Sequence, residues 1–276
     1  MIQTLIFLSA PITACVLLAG MLSYFGNHIL TRGIIFIDIS LAQIAALGTM
    51  LGLLLGYTEG SSSVEIISLL FTIVVITLFA LTKREKQTIP QEAIIGIIYA
   101  LGLGLAMLLA EKIPGGSNYI TKTISGNILW VTWKQVLSSL LIFIPISVIH
   151  MIFQKQFIAI SESKRKLPFS ISHVRKFEML FYMTFSIVVV RAVMIGGIFF
   201  VFVLLIAPTA IATLFHSAWR LRFIWSWSIG LAGTIVGIYL SYQFNISNGP
   251  AIVCLLGGLV YLMTFVKMAP HRQSVK

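Results

Sequence analysis

The chain has 276 residues, 58% hydrophobic and 10% charged, with a mean hydropathy of +1.01 and a formal net charge of +11. A soluble domain of this length carries about 25% charged residues, so the composition excludes a soluble globular enzyme, and with it disordered, collagenous and disulfide-stapled chains. Its two cysteines, Cys15 and Cys254, lie in apolar runs and fix no redox compartment.

A transmembrane helix needs about 20 mostly apolar residues. Runs of that kind occupy 3–25, 33–56, 64–82, 91–110, 135–154, 177–193, 196–214, 223–242 and 250–266. The expectation is an all-α, polytopic transmembrane helix bundle of about nine spans, forming one membrane domain over 1–276. The spans 177–193 and 196–214 are divided only at Gly196-Gly197. Barrel strands do not fit, because the runs are too long and lack period-two alternation. The first run has no Lys or Arg before it and no clear cleavage site, so it reads as a span rather than a signal peptide. Ile12-Thr13-Ala14-Cys15 resembles a lipoprotein box only loosely, since the apolar run continues past the cysteine. No internal repeat of the kind found in many secondary transporters stands out.

Orientation follows from the cations in the loops. With the N-terminus outside and the C-terminus cytoplasmic, the inner loops hold Arg32, Lys83 to Lys86, Lys155 to Lys176, Arg220, Arg222 and the tail. Those loops contain fifteen of the nineteen Lys and Arg residues. Lys112, Lys122 and Lys134 remain outside, with Arg191 near an outer helix end. The outer loops read TEGSSS (58–63), a Gly/Ser/Asn/Thr-rich stretch from Pro114 to Asn127, and NISNGP (245–250). The positive-inside rule thus accounts for most of the net charge without any nucleic-acid partner.

No G-x-x-x-x-G-K-[ST], H-E-x-x-H, C-x-x-C or G-x-S-x-G occurs, so the P-loop, metalloprotease, redox and hydrolase signatures are missing. The chain reads as a conduit rather than an enzyme. Any ATP hydrolysis falls to a separate subunit.

Of the eight Asp and Glu residues, Glu65 reads as an outer helix end and Glu178 as the inner interface, which leaves Asp38 in the second span and Glu92 in the fourth as the intramembrane acids. A charge well inside a bilayer costs at least ~2.5–3.5 kcal/mol and normally faces a cavity or a partner. Both lie in the cytoplasmic half of their helices at similar depth. Glu92, Gly96, Ala100 and Gly104 recur every four residues, and Asp38, Ala42, Ala45, Gly52 and Gly56 share a stripe. Small-residue faces let helices approach closely, so the two acids are expected on packing faces, able to meet in an oxygen-rich cation site. The competing reading pairs them with Arg32 or another cation, or leaves them protonated near the interface. His28 and His150 are weaker candidates at inner helix edges, while His173, His216 and His271 read as cytoplasmic. The ten methionines form no stripe.

The longest inner loop, 155–176, carries six cations interleaved with Phe157, Ile158, Ile160, Leu167, Phe169 and Ile171. It reads as a short docking helix for a cytosolic partner, or else as a basic loop touching anionic lipid.

The stretch RGIIFIDISLAQIAALG (32–48) resembles the second-helix segment of the zinc, manganese and iron ABC-transporter permeases, the ABC-3 family. EAIIGIIYALGLGL (92–105), SGNILWVTW (125–133), GGIFFVFVLLIAPTAIA (196–212) and NISNGPAIV (245–253) agree in order and spacing. The resemblance implies a homodimeric permease of the bacterial cytoplasmic membrane, with cytosolic ATPase subunits and an extracytoplasmic metal-binding protein. It implies no resident cofactor, only a transported divalent ion: manganese, zinc or iron. In the family, an Asp and a His four residues later on the second helix, with an acid opening the fourth, are associated with the metal path. Aligned on Gly48, the His position holds Gln43 and the Asp position holds Ile39, with Asp38 one residue earlier; Glu92 matches directly. The implied metal set is Asp38, Gln43 and Glu92, all oxygen, which leans from zinc toward manganese or iron. The alternatives are an ABC permease for a haem or siderophore chelate, and a non-transporting membrane anchor.

Overall fold

A computed structural model describes residues 2–82, 89–126, 128–162 and 171–268. The expected inner cations Lys83, Arg84, Lys86, Lys164, Arg165, Lys166, Arg272 and Lys276, together with Leu167 and Phe169, lie outside these residues.

The described residues are almost wholly helical, with no strand. α1 is Ile2–Arg32, α2 Ile37–Leu54, α3 Ser62–Thr82, α4 Gln91–Ala110, α5 Gly116–Ser125, α6 Trp133–Ile152, α7 Gln154–Glu162, α8 Ile171–Phe215, α9 Trp219–Phe244 and α10 Asn248–Met268. A short 3-10 turn covers Ile128–Trp130. Eight of the helices are long and apolar enough to cross a membrane.

One of the eight accounts for two of the nine expected crossings. α8 has 45 residues, which at 1.5 Å each would make a rod of about 67 Å, over twice the ~30 Å hydrocarbon core. It is not a rod. Gly197 has φ 81° and ψ 169°, outside helical geometry, and the two arms fold back on each other there. The ring of His28 shows this, lying 5.5 Å from Phe181 on the first arm and 4.6 Å from Trp219, four residues past the end of the second. The far end of the fold is closed by backbone on backbone. A Cβ placed on Gly126 would sit 1.8 Å from the Gly196 carbonyl oxygen, and one on Gly197 would sit 2.5 Å from Gly126 Cα. The division at Gly196-Gly197 therefore marks a reversal.

The segment expected as an outer loop between Pro114 and Asn127 contains the ten-residue α5. Gly115 and Gly126, both at positive φ, start and stop it. Between them Tyr119, Ile120, Thr123 and Ile124 turn inward with helical spacing. At the other end of the bundle α1 runs on to Arg32, past the expected limit at residue 25, because Asn27 and His28 are polar yet fully enclosed by neighbouring helices.

α2 is the central helix. From Ile37 to Met50 every residue except Ile39 is buried, against α3, α4 and α8. Close approach comes from small residues, since a Cβ on Gly48 would stand 2.7 Å from Ser68 Cα. Two hydroxyls fix the register: Ser68 Oγ donates to the Ala45 carbonyl at 2.8 Å, and Ser40 Oγ donates to the Ile95 carbonyl at 2.9 Å.

Candidate functional site

Asp38 and Glu92 are each the second residue of a helix, α2 and α4, in the first turn where the backbone dipole favours an anion. The bond from Ser40 to Ile95 sets their levels. Asp38 lies two residues before Ser40 and Glu92 three before Ile95, so the two acids stand at the same end of the α2–α4 pair.

They do not share a face. Asp38 is 1% exposed, and neither carboxylate oxygen has a hydrogen-bond partner among the described residues. No ion pair to Arg32 forms, because the Arg32 guanidinium sits 3.8 Å over the Phe181 ring. Glu92 is exposed on the outside of the subunit, together with Gly96, Ala100 and Gly104. The seam expected to pack on α2 is thus open, and nothing lies within 4 Å of a Cβ placed on Gly96 or Gly104. α4 meets α2 through Ile95, Gly102 and Ala106 instead, about 110° around the helix. The spacing on α4 identified a small-residue face, but two such faces exist, and it is the one holding Gly102 and Ala106 that touches α2. Gln43, 4% exposed, packs at that junction, with its Cβ 3.3 Å from a Cβ built on Gly102.

A cavity of about 380 Å³ opens at the opposite end of α2, between α2, α3, α5 and α8. Thr49, Ser68, Glu65, Tyr119 and Gln135 line it, with Ala45 the α2 residue nearest Asp38. Thr49, Ala45, Ala42 and Asp38 follow helical spacing, so the cavity and the buried acid share one face of α2. Two ion pairs border the cavity. Lys122 Nζ lies 2.6 Å from Glu59 Oε1, both exposed, and the largely buried Arg191 lies 2.9 Å from Glu65 Oε1. Arg191 also donates to Ser139 Oγ at 3.0 Å and to Ser138 Oγ. Burial pushes the Tyr119 phenol up from its usual value.

A second polar cluster escaped the sequence reading. Tyr24, His28 and Arg32 recur every four residues on α1, a signal cut short by ending the first span at residue 25. Ser161 on α7 accepts from Arg32 Nε at 2.9 Å and lies 2.8 Å from His28 Nδ1. Its own hydroxyl donates to the Phe157 carbonyl, so His28 supplies the hydrogen of that contact. By the same reasoning Tyr24 donates to His150 Nδ1 at 3.1 Å, and His150 Nε2 donates to Thr184 Oγ1 at 2.8 Å. Phe157 stacks on His150 with centroids 4.2 Å apart. The apolar face of α7 is therefore spent on its own subunit, and Gln154, Lys155 and Glu162 face outward. Among the described residues no group of three or more His, Cys, Asp or Glu is placed to hold a metal ion.

Solved structures share this fold. The PsaBC complex from Streptococcus pneumoniae superposes with a TM-score of 0.77 at 20% identity, covering 96% of each chain. An inward-facing putative metal-chelate type ABC transporter gives 0.73 at 18%, covering 96% of this chain and 88% of that one. Among curated sequences, the manganese import system permease protein ScaB of Streptococcus gordonii is 23% identical over 270 residues, 98% of this chain and 94% of its own. A probable metal transport system membrane protein of Chlamydia trachomatis is 23% identical over 251 residues, 88% of this chain and 83% of its own. Residues 4–268 match the family model described as the ABC 3 transport family. This multi-pass membrane protein belongs to that family of ABC-transporter permeases.

Proposed function

We propose that the chain is the membrane-spanning subunit of an importer that carries a bare divalent transition-metal ion, manganese ahead of iron or zinc, across the bacterial cytoplasmic membrane. The observation that carries this reading is Asp38: a carboxylate 1% exposed, in the first turn of the central helix, with both oxygens unpartnered among the described residues. A buried acid left without a partner calls for an explanation, and a cation arriving along the same α2 face as the cavity supplies one.

An extracytoplasmic metal-binding protein delivers the ion to the cavity bounded by Glu59 and Glu65. The ion then passes Ala45 and Ala42 to Asp38, where a hard cation exchanges water for carboxylate and carbonyl oxygen, with Gln43 adding a neutral oxygen. Glu92, at the same end of the α2–α4 pair as Asp38 but on the open side of α4, acts where a second copy of the chain packs on the Gly96–Ala100–Gly104 face. Its carboxylate then meets the ion on the way to the cytosol. A separate ATPase, docked on the 155–176 segment, drives the cycle. The manganese names carried by relatives and the all-oxygen set Asp38, Gln43 and Glu92 support the choice of metal.

The test is metal uptake by the complete system in cells deleted for their native importer. Asp38→Asn and Glu92→Gln are each expected to abolish manganese uptake while membrane insertion and ATPase binding persist. Normal uptake by Asp38→Asn makes Asp38 a structural acid and removes the reading.

A further inference from the structure

An apolar groove of about 900 Å³ separates α1, α6 and α9. It lies at the end of the bundle that holds Arg32, Glu162 and Arg222. On α1 its lining runs from Val16 to Asn27 and on α6 from Leu140 to Met151, each about 17 Å of helix. Half of a ~30 Å hydrocarbon core is about 15 Å. The groove is one leaflet deep.

Its walls change character along that depth. Val16, Leu17, Leu140 and Ile144 line the end toward the membrane centre, whereas Gln154, Trp219 and Arg220 line the end toward the basic surface. Arg220 is exposed and forms no ion pair with any described residue. Its neighbour Arg222 is occupied, donating to the Ser217 carbonyl and lying 3.9 Å from Glu162. A trough that is apolar for one leaflet and ends at a guanidinium paired with no described residue, beside an interfacial tryptophan, has the polarity of a single phospholipid.

We propose that the groove holds one anionic phospholipid of the leaflet on the basic side, with an acyl chain along the trough and the headgroup phosphate on Arg220. Guanidinium pairs with phosphate through two parallel hydrogen bonds, and basic pockets between membrane helices select anionic headgroups. A second copy of the chain fits less well, because its own basic end would set like charges against Arg220. The floor of the groove includes Tyr24 and His150, so the lipid rests on the hydrogen bonds that reach toward α7.

Native mass spectrometry of the full-length permease, titrated in mild detergent with phosphatidylglycerol or phosphatidylcholine, tests this directly. One phosphatidylglycerol should bind about fivefold tighter than phosphatidylcholine, the factor one basic residue contributes at an anionic lipid surface. Arg220→Gln should erase that preference while a chain still binds. Ile144→Trp, a change at an exposed lipid-facing position, should fill the trough and lose both lipids; Leu140→Phe provides the milder version should that variant unfold. Equal binding of the two lipids by the unaltered chain overturns the proposal. So does a preference that survives Arg220→Gln, or a second copy or other protein cross-linked from Ile144→Cys.

Discussion

Arg191 Nη1 lies 2.9 Å from Glu65 Oε1, a bond that ties the first arm of α8 to the first turn of α3. The two sides of the pair are unequal: the guanidinium side chain is 8% exposed and the carboxylate 39%. Losing the anion strands a buried cation, whereas losing both leaves an uncharged contact.

Glu65→Gln is accordingly expected to lower stability by about 1–2 kcal/mol, a figure reduced for the partial exposure of the acid. Arg191→Met combined with Glu65→Gln should recover part of that loss. Thermal unfolding of the purified permease in detergent measures both, and an unchanged midpoint for Glu65→Gln would refute the asymmetry.

The fold-back of α8 depends on glycine at residue 126, which has φ +68° and a Cβ position 1.8 Å from the Gly196 oxygen. Gly126→Ala should cost about 2–4 kcal/mol through strain and clash together. Gly258→Ala should be nearly neutral, since nothing lies within 4 Å of its Cβ position. Comparable yields of folded protein for the two variants would contradict the close contact at the reversal.

Ser161 joins α7 to α1 through His28 and Arg32. Ser161→Ala leaves two buried donors without an acceptor, at about 1–3 kcal/mol, and loosens α7 without touching its outward face. In the complete transporter, the ratio of metal carried to ATP hydrolysed is expected to fall, and Ser161→Thr should restore it. A ratio unchanged in Ser161→Ala would reduce the bond to local packing.

Orientation is open to cysteine labelling. Ser62→Cys, beside Glu59 and the outer cavity, should react with an impermeant reagent from outside, and Lys155→Cys on α7 should not. The reverse pattern would invert the bundle.

Gln43→His offers a test of selectivity. Imidazole is a softer ligand than an amide oxygen, so the variant should shift uptake from manganese toward zinc, while Gln43→Ala only weakens it. Competition between the two ions in one uptake assay reads the shift. Unchanged preference would place Gln43 away from the ion.

Helix positions were legible because the membrane demands long apolar runs, and α4 begins and ends where hydropathy puts it. What each face meets was not. The α4 seam was visible as spacing, yet spacing on one helix cannot say which neighbour fills it, and Gly102 on another face took the contact with α2. α5 was hidden by its turn-forming residues, although its Tyr119–Ile120–Thr123–Ile124 pattern is helical. The Tyr24–His28–Arg32 row was hidden because polar residues end a hydropathy run, whereas here Ser161, Phe157 and Phe181 enclose them. Asp38 was legible by position, as the one acid more than a residue inside an expected span, whereas Glu65, Glu92 and Glu178 each stand at the second residue of theirs. Its one-residue offset has a structural counterpart: Asp38 is enclosed, while Ile39, at the family position, is only partly buried.

The cavity reaches down α2 only as far as Ala45, and Ala42 below it is 1% exposed. Among the described residues, the lining of this cavity stops short of Asp38 in this conformation. On the proposed path, each passage would have to part α2 from its neighbours and close again, so flux would be counted in conformational cycles rather than leaking as through a pore. A planar-bilayer recording would therefore show a silent baseline however steep the metal gradient.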